Sequence, residues 1–339
     1  MRLTDVTVLP FAPASGGTAG AVGVVLLVEA EGGLRGIGAS SHTPAAASAA
    51  LEVLRPMLVG VDFDSPEQAQ VALSRSLPPS SEAMMLLGAI DAALWDIWAC
   101  QLKVPVSVAL GGRHRERVRA AIRISADALG AVAEFATAGC TSFVIEGRPS
   151  ARQLHDLRSA AGETALLAIA CSGALRRHEA TALANRARDA GAWLLDPLPV
   201  SDVDGYAILR STSHVPVLAG ATGTATELLR LLEVPSIDGL VLDLGRLGGL
   251  TSARAVIWAA EDAGSSILIR GSDEPHALAA DLHLMSAASF DGIVSVDPLG
   301  TSVVGADGRL AVPDGAGLGT ADPSEIASSS VASSLERNS

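Results

Sequence analysis

The stretch Ser142-Phe-Val-Ile-Glu146 is a short run of bulky apolar residues that ends in one charged side chain. It shows no alternation of polar and apolar positions, and a segment with helical character follows it. A strand of this composition is typical of a parallel sheet whose two faces are both covered by other elements. The stretch therefore predicts one strand–helix unit of an α/β fold.

Seven further runs repeat this pattern, and consecutive runs end 21 to 27 residues apart. That interval is the length of one strand, one helix and two loops. Eight such units predict a closed barrel of parallel strands, which we place at residues 113–299. In chain order the runs are Ala121–Ser125, Ser142–Glu146, Leu166–Ala170, Ala192–Asp196, Val215–Ala219, Gly239–Asp243, Ser266–Arg270 and Gly292–Asp297.

Residues 1–112 mix strand-like and helix-like stretches, which predicts an α+β domain before the barrel. The turn residues Glu31-Gly32-Gly33 punctuate β-branched, apolar sequence and indicate a hairpin. Apolar residues at three- and four-residue spacing then predict helices. The predicted strands are Arg2–Pro10 and Gly20–Ala30, and the predicted helices are Pro44–Leu58 and Ser80–Cys100.

The chain after the barrel becomes glycine-rich and then serine-rich. We expect residues 300–320 to return to the first domain, with Arg309–Pro313 as a strand. Residues 321–339 are rich in serine and alanine, so we expect them to be disordered.

The composition indicates a globular protein that acts on small molecules. The chain has 339 residues, 49% of them hydrophobic, which is enough for a large core. Its net charge of −13 argues against nucleic-acid and membrane partners. The three cysteines are far apart, and no targeting or membrane-spanning stretch is recognised, so we predict a cytoplasmic location. Lys103 is the only lysine, which limits any mechanism that needs a lysine base.

In barrels of this type the functional side chains lie at the carboxyl ends of the strands. The residues that end the predicted strands differ in chemistry, since some are charged and others carry only methyl groups. They are Ser125, Glu146, Ala170 with Ser172 beyond it, Asp196, Ala221 with Thr222 beyond it, Asp243, Arg270 and Asp297.

Several motifs follow one another in a fixed order, among them Ala89-Ile-Asp-Ala-Ala-Leu-Trp-Asp-Ile97, Trp193-Leu-Leu-Asp-Pro197, Asp243-Leu-Gly-Arg-Leu-Gly-Gly-Leu-Thr251 and Gly315-Ala-Gly-Leu-Gly319. With these motifs the chain, up to about residue 320, resembles the enolase superfamily, specifically its mandelate racemase and muconate lactonizing branch, including the dipeptide epimerases. The resemblance implies a modified (β/α)7β TIM-type barrel with an N-terminal α+β capping domain. It also implies a homo-oligomer, either a dimer or an octamer.

Members of that branch hold one magnesium ion with three carboxylates and abstract a proton next to a substrate carboxylate. The cation stabilises the negative charge that builds on the carboxylate oxygens. Matched by position, the three ligands correspond to Ala170, Leu195 and Ala221. None of these side chains has an oxygen donor, so we expect no metal and no other cofactor.

The family's catalytic bases are also replaced. Its Lys-x-Lys motif corresponds to Val144-Ile-Glu146, and its histidine corresponds to Arg270, which stays protonated and is a poor base. The aspartate that partners this histidine is retained as Asp243. The asparagine beyond the first ligand corresponds to Ser172, and a glutamate of the capping domain corresponds to Ala39.

These replacements predict the functional groups of the barrel mouth. We expect Asp243 and Arg270 to face each other and, with Glu146, to supply acid–base and electrostatic catalysis. The alternatives are a structural ion pair for the first two residues and a solvated side chain beside Arg148 for Glu146. We expect the substrate to lie between the Ser15–Gly20 loop and the mouth, in contact with Asp297, Ser172, Ser125 and Thr222.

The leading functional hypothesis is an isomerase or lyase that acts without a divalent metal on a small substrate with a carboxylate or carbonyl group. Its reaction would be an isomerisation, a cyclisation or an elimination. The alternative is a catalytically silent protein that uses the barrel for ligand binding or assembly. Other candidates receive structural interpretations: Asp196 as support for the loop before Pro197, and Cys171, His276 and His283 as packing residues.

Overall fold

The computed structural model describes residues 1–11, 23–78, 82–233, 236–297 and 304–320. The predictions for the loop Ser15–Gly20 and for the tail 321–339 concern residues outside these described ranges.

An antiparallel sheet forms the first part of the chain. Its strands are β1 (Leu3–Phe11), β2 (Gly23–Ala30) and β3 (Leu34–Ser40), in the order β1-β2-β3. Gly32 and Gly33 have φ angles of 84° and 76°, which residues with a Cβ rarely adopt, and they form the turn between β2 and β3. The predicted turn is confirmed, whereas β3 was not predicted as a strand.

Four helices follow the sheet, namely α1 (Pro44–Leu58), α2 (Pro66–Ser74), α3 (Glu82–Leu102) and α4 (Val106–Ala109). The bounds of α1 are those predicted, because the Thr43 side chain caps its first turn and Pro44 occupies its first position. Helix α3 is long and apolar enough to span a membrane, but 78% of its most apolar window is buried inside the protein. It is the core helix of this domain.

Eight parallel strands form the barrel, and pairing of the eighth strand with the first closes it. The predicted fold class is therefore confirmed. The strands are β4 (Arg117–Ser125), β5 (Ser142–Glu146), β6 (Leu166–Ala170), β7 (Ala192–Leu195), β8 (Val217–Ala219), β9 (Gly239–Leu242), β10 (Ser266–Arg270) and β11 (Ile293–Val296).

Helices connect each barrel strand to the next, and their apolar faces pack on the outer surface of the strands. After β9 the connection contains a one-turn helix and a longer helix. The helices are α5 (Leu129–Thr137), α6 (Ala151–Ala161), α7 (Arg177–Asp189), α8 (Val203–Ser213), α9 (Ala225–Glu233), α10 (Leu244–Leu247), α11 (Leu250–Asp262) and α12 (Pro275–Ala287).

The C-terminal segment makes contacts with both parts of the molecule. Strand β12 (Arg309–Ala311) pairs antiparallel with β4, so the expectation that this strand joins the first domain is wrong. The physical reason is that Leu310 is buried in the outer core of the barrel. Farther along, Leu318 N donates a 2.7 Å hydrogen bond to Asp96 Oδ1 of α3. Asp96 also accepts from Ile37 N of β3 at 2.9 Å, so one carboxylate joins three segments.

Helix α3 contacts the barrel through a second buried carboxylate. Asp91 accepts hydrogen bonds from Thr251 N at 2.9 Å and from Thr251 Oγ1 at 2.7 Å. Trp95 Nε1 donates to the same hydroxyl at 2.9 Å. Burial of Asp91 raises its pKa to about 7. These contacts fix the N-terminal domain on helix α11.

Candidate active site

The inside of the barrel is apolar up to the level of the mouth. A buried cluster there includes Val144, Leu195, Val241 and Leu268. Side chains alternate between the two faces of a strand, so the residue two positions beyond an inward-facing residue also faces inward. This rule directs Glu146, Asp243 and Arg270 toward the barrel axis at the carboxyl ends of β5, β9 and β10.

The strand order divides the mouth into two parts. Strands β6, β7 and β8 are neighbours, and the apolar residues Ala170, Leu195 and Ala221 lie at their carboxyl ends; we call these residues the apolar arc. The other five strands, from β9 through β11 and β4 to β5, are followed or ended by polar residues. We call that set the polar arc: Asp243, Arg270, Asp297, Ser125 and Glu146.

The apolar arc does not fit a magnesium ion. Leu195 and Ala221 are 3% and 6% exposed, and both pack in the apolar cluster inside the barrel. Magnesium requires oxygen ligands in near-octahedral geometry, and these side chains have none. In the described part of the chain, no group of three or more His, Cys, Asp or Glu side chains is arranged to hold a metal ion.

Asp243 is engaged in a local contact. Its side chain caps α10, since Oδ1 accepts a 3.2 Å hydrogen bond from Arg246 N, and its Oδ2 lies 3.8 Å from Arg246 Nε. Within the described ranges it forms no ion pair with Arg270, so the alternative interpretation of these two residues as a structural ion pair is wrong. The reason is that Asp243 is the N-cap of α10, and its carboxylate accepts from the N–H of Arg246, three residues later. That the two side chains act together on a substrate stays a prediction.

Arg270 ends β10 and is exposed at the mouth. No hydrogen bond or ion pair of its guanidinium is found with any residue for which the structure gives a position. Its positive charge offsets a small part of the effect of burial, which raises the pKa of Asp196 after β7. The guanidinium therefore presents uncompensated hydrogen-bond donors to a ligand in the mouth.

Asp196 supports the neighbouring loop. Its Oδ1 accepts hydrogen bonds from Gly220 N at 2.6 Å and from Ala221 N at 3.1 Å. The residue is 5% exposed, and burial raises its pKa to about 6, against the lowering effect of the two N–H groups and of Arg270. The expected structural role is correct in kind, but the supported loop is the one after β8, which carries Ala221.

The other predicted site residues lie around the rim. Glu146 is exposed at the end of β5, and Arg148 pairs with Glu179 at 3.2 Å instead of with Glu146. Ser125 is exposed and accepts a 3.4 Å hydrogen bond from Asp127 N. Ser172 has a φ of 54°, and the adjacent turn lies beside the exposed Thr222. Asp297 is half-buried directly after β11.

Arg123 is a mouth residue that was not predicted. It lies on β4, two residues before Ser125, and donates from Nη1 to Gly271 O at 2.6 Å and to Ser295 O at 3.4 Å. Its Nη2 forms an ion pair with Asp273. The signal was available, since Arg123 is the one charged residue in the predicted run Ala121–Ser125 and occupies an inward-facing position. Arg123 joins the loop after β10 and the strand β11 to β4.

The residues with structural interpretations are packed as expected. Cys171 contacts the outer core of the barrel, and burial raises its pKa to about 12. His276 Nδ1 lies 2.6 Å from Glu274 Oε1. His283 is buried between Ser107 N, 3.3 Å from Nδ1, and Leu318 O, 3.1 Å from Nε2. Burial lowers the pKa of His283 to about 4, so it is neutral at physiological pH.

Comparison with known proteins gives matches along nearly the whole chain. Residues 1–111 match the family model described as the mandelate racemase / muconate lactonizing enzyme N-terminal domain, and residues 124–323 match the model described as enolase C-terminal domain-like. D-galactarolactone cycloisomerase of Agrobacterium fabrum is 24% identical over 338 residues, which cover 87% of this chain and 88% of that enzyme.

A second relative and a solved structure agree with these matches. D-galactonate dehydratase of Ralstonia nicotianae is 27% identical over 220 residues, which cover 59% of this chain and 58% of that enzyme. The crystal structure of 3,6-anhydro-D-galactonate cycloisomerase from Zobellia galactanivorans superposes with a TM-score of 0.86 at 21% identity, over 96% of this chain and 98% of that chain. At this sequence identity, the similarity to the solved structure shows that the two proteins share a fold.

Proposed function

Since the chain belongs to the mandelate racemase and muconate lactonizing enzyme family of the enolase superfamily, we propose that it is an isomerase or lyase that works without a divalent metal. Its substrate is a small molecule with a carboxylate or carbonyl group. Its relatives support the general class, because they include a cycloisomerase and a dehydratase.

The division of the mouth into an apolar and a polar arc carries this proposal. Arg270, which has no partner among the described residues, binds the anionic or carbonyl oxygen of the substrate through its fork of N–H donors. The apolar arc of Ala170, Leu195 and Ala221 contacts the less polar part of the same molecule. A substrate bound in this way has one orientation, since reversal would leave Arg270 unpaired and bury a charge on the apolar arc.

In this proposal, residues of the polar arc carry out the proton transfers. Glu146 is exposed and, in the part of the chain with assigned positions, unpaired, so it is able to accept a proton from a carbon or hydroxyl group. Asp243 is less suited, because its carboxylate already caps α10. Without a metal to stabilise an enolate, the substrate must have a carbonyl or conjugated system that lowers its own barrier. Cyclisation and elimination satisfy this requirement better than racemisation of an ordinary carboxylate.

The test is exchange of substrate protons. The protein is incubated in D2O with D-galactonate and its lactone, and incorporation of deuterium and formation of product are followed by NMR and mass spectrometry. Arg270→Ala should abolish turnover and the rise in Tm that the ligand causes in the parent protein. Arg246→Ala is the matched control, since this arginine also lies near the mouth but contacts Asp243. Identical turnover and Tm shifts in the parent and Arg270→Ala would refute the proposal.

A second candidate function is ligand binding without catalysis. The observation that favours it is the use of Asp243 as a helix cap, because a retained family residue then has a structural explanation. The same experiment separates the two functions. A ligand-dependent rise in Tm that Arg270→Ala removes, without deuterium incorporation or product in the parent, would support binding alone.

A further inference from the structure

Three polar side chains in the N-terminal domain form a chain of contacts that the barrel site does not use. His42 Nδ1 lies 2.5 Å from Ser40 Oγ at the end of β3. On the other side of the ring, His42 Nε2 lies 2.7 Å from Glu82 Oε2 at the start of α3. The order hydroxyl, imidazole, carboxylate is that of a nucleophile, its base and the acid that orients the base. We call these residues the serine relay.

The three residues of the serine relay differ in their exposure to solvent. The His42 side chain is only 2% exposed, whereas the Glu82 side chain is 68% exposed. Ser40 is half-buried, so it is less enclosed than His42. In this arrangement His42 accepts the serine proton on Nδ1, because Nε2 faces the carboxylate and carries the ring proton.

One detail of the relay is incomplete. His42 Nε2 is buried and, among the described residues, has no partner that satisfies hydrogen-bond geometry, although Glu82 Oε2 lies 2.7 Å away. Because the Glu82 side chain is 68% exposed, it has room to rotate toward this group. Such hydrogen bonds are commonly misaligned before a substrate binds.

Two glycines explain why these distant residues meet. A Cβ on Gly36 would lie 2.0 Å from Ala93 O, and a Cβ on Gly38 would lie 1.8 Å from Ala89 O. Strand β3 therefore lies directly on α3, and its next residue on that face is Ser40. Gly36 contacts Ala93 and Gly38 contacts Ala89, so residues later in β3 lie closer to the N-terminus of α3. This direction brings Ser40 and His42 close to Glu82.

The relay lies on the side of the domain that faces the carboxyl end of β9. Gly88 of α3 packs against Gly245 and Gly249 in the connection after that strand. Glu82 is six residues earlier in the helix, about 9 Å farther along its axis. Helix α1 begins at Pro44, two residues after His42, and its N-terminus contributes a positive potential near Ser40.

We propose that Ser40, His42 and Glu82 form a second catalytic site, which cleaves small esters or lactones by acyl transfer to Ser40. Ser40 Oγ forms a bond to the carbonyl carbon while its proton moves to His42 Nδ1. The bond from that carbon to the leaving oxygen then breaks, and the leaving oxygen takes the proton from His42. Water repeats both steps on the acyl-serine, which releases the acid and restores the hydroxyl.

The experiment uses a fluorophosphonate probe, which forms a bond to an activated serine with loss of fluoride. The full-length protein is treated with the probe, and the modified residue is located by peptide mass spectrometry. We expect modification at Ser40 and hydrolysis of p-nitrophenyl acetate. Ser40→Ala and His42→Gln should each slow that hydrolysis by about 100-fold or more. If His42→Gln does not fold, Ser40→Ala, which removes one hydroxyl group, still decides the outcome.

Two controls make the result specific. Ser41→Ala changes the exposed neighbouring serine and should leave labelling and hydrolysis unchanged. Arg152→Ala changes an arginine that is 92% exposed on α6 and should also leave both unchanged. Because the modified residue is located by mass spectrometry, failure of the barrel proposal does not affect this result. Equal modification of Ser40 and Ser41, no modification of Ser40, or hydrolysis that persists in Ser40→Ala would overturn the second site.

Discussion

Asp196 holds Ala221 in place from the neighbouring strand, because its Oδ1 accepts hydrogen bonds from the backbone N–H groups of Gly220 and Ala221. One end of the apolar arc is thus positioned by a buried carboxylate whose pKa is raised to about 6. The methyl group of Ala221 contacts the barrel interior, and its backbone is tied to β7. This relationship makes the stability of the mouth dependent on pH.

Asp196→Asn should change that dependence. A raised pKa means that the folded protein binds the proton more tightly than the unfolded chain, so this stabilisation is present below the ordinary pKa of 3.8 and is lost as the pH rises through about 6. Asparagine keeps an oxygen that accepts both hydrogen bonds and never becomes charged. Relative to the parent, the variant should gain about 1–3 kcal/mol of unfolding free energy between pH 4 and pH 7.

Urea denaturation at a series of pH values measures this difference. Asp189→Asn is the control, because that side chain is 79% exposed and should leave the pH profile parallel to that of the parent. A constant difference between Asp196→Asn and the parent at all pH values would contradict the prediction.

Arg123→Met should destabilise the protein by about 1–3 kcal/mol. The substitution keeps an apolar stem but removes the donors to Gly271 O and Ser295 O and the partner of Asp273. Arg152→Met is the matched control, since Arg152 is 92% exposed and lies 3.8 Å from Asp156, and we expect a change within about 0.5 kcal/mol. Chemical denaturation provides both values, and equal effects would show that Arg123 does not stabilise the mouth.

Two glycine-to-alanine substitutions should change the free energy of unfolding in opposite directions. Gly38→Ala places a Cβ 1.8 Å from Ala89 O, so β3 must separate from α3, and we expect a loss of at least about 2 kcal/mol. Gly130→Ala lies in helix α5 with no atom within 4 Å of the new Cβ. It should stabilise the protein by about 0.5–1 kcal/mol, because alanine favours the helix. Thermal unfolding of both variants tests the close packing of β3, and a mild effect of Gly38→Ala would contradict it.

Removal of divalent metal ions from the solution should leave the Tm of the protein unchanged. Dialysis against EDTA followed by addition of MgCl2 should not shift Tm, because the apolar arc provides no oxygen ligands. The triple variant Ala170→Asp, Leu195→Glu, Ala221→Glu places carboxylates at the same three strand ends, and if it folds, its Tm should rise with magnesium. A Tm of the parent that rises and saturates with magnesium, or stoichiometric magnesium by elemental analysis, would refute metal independence.

Most of the barrel could be predicted from hydrophobic runs, because a parallel strand covered on both faces needs continuous apolar sequence. The bounds of β5, β6 and β10 are those of the predicted runs. Strand β3 was not predicted, since Gly36 and Gly38 are poor strand formers. Those glycines are required by the distance to α3, which is a tertiary constraint that local sequence does not show.

The site was less predictable than the fold. The rule that barrel sites lie at the carboxyl ends of the strands selected the residues to consider, and their role stays a prediction. The contacts between them depend on loop geometry, which the rule does not give. The alternative interpretation of Asp243 and Arg270 as a structural ion pair is wrong, because the Asp243 carboxylate caps α10 through a local hydrogen bond from Arg246 N. The serine relay was not predicted, since Ser40 and Glu82 are far apart in sequence and meet only through packing.

Two hydrogen-bonded contacts that hold the N-terminal domain on the rest of the molecule use no residue of either arc: Asp91 of α3 bonds to Thr251 of α11, and Asp96 of α3 bonds to Leu318 of the C-terminal segment. Asp243 is the exception among the strand ends, because it caps α10, and Gly245 of that helix packs against Gly88 of α3. Changes at the other strand ends leave these contacts in place. New ligand preferences can therefore be introduced at those positions while the assembly of the two halves stays intact.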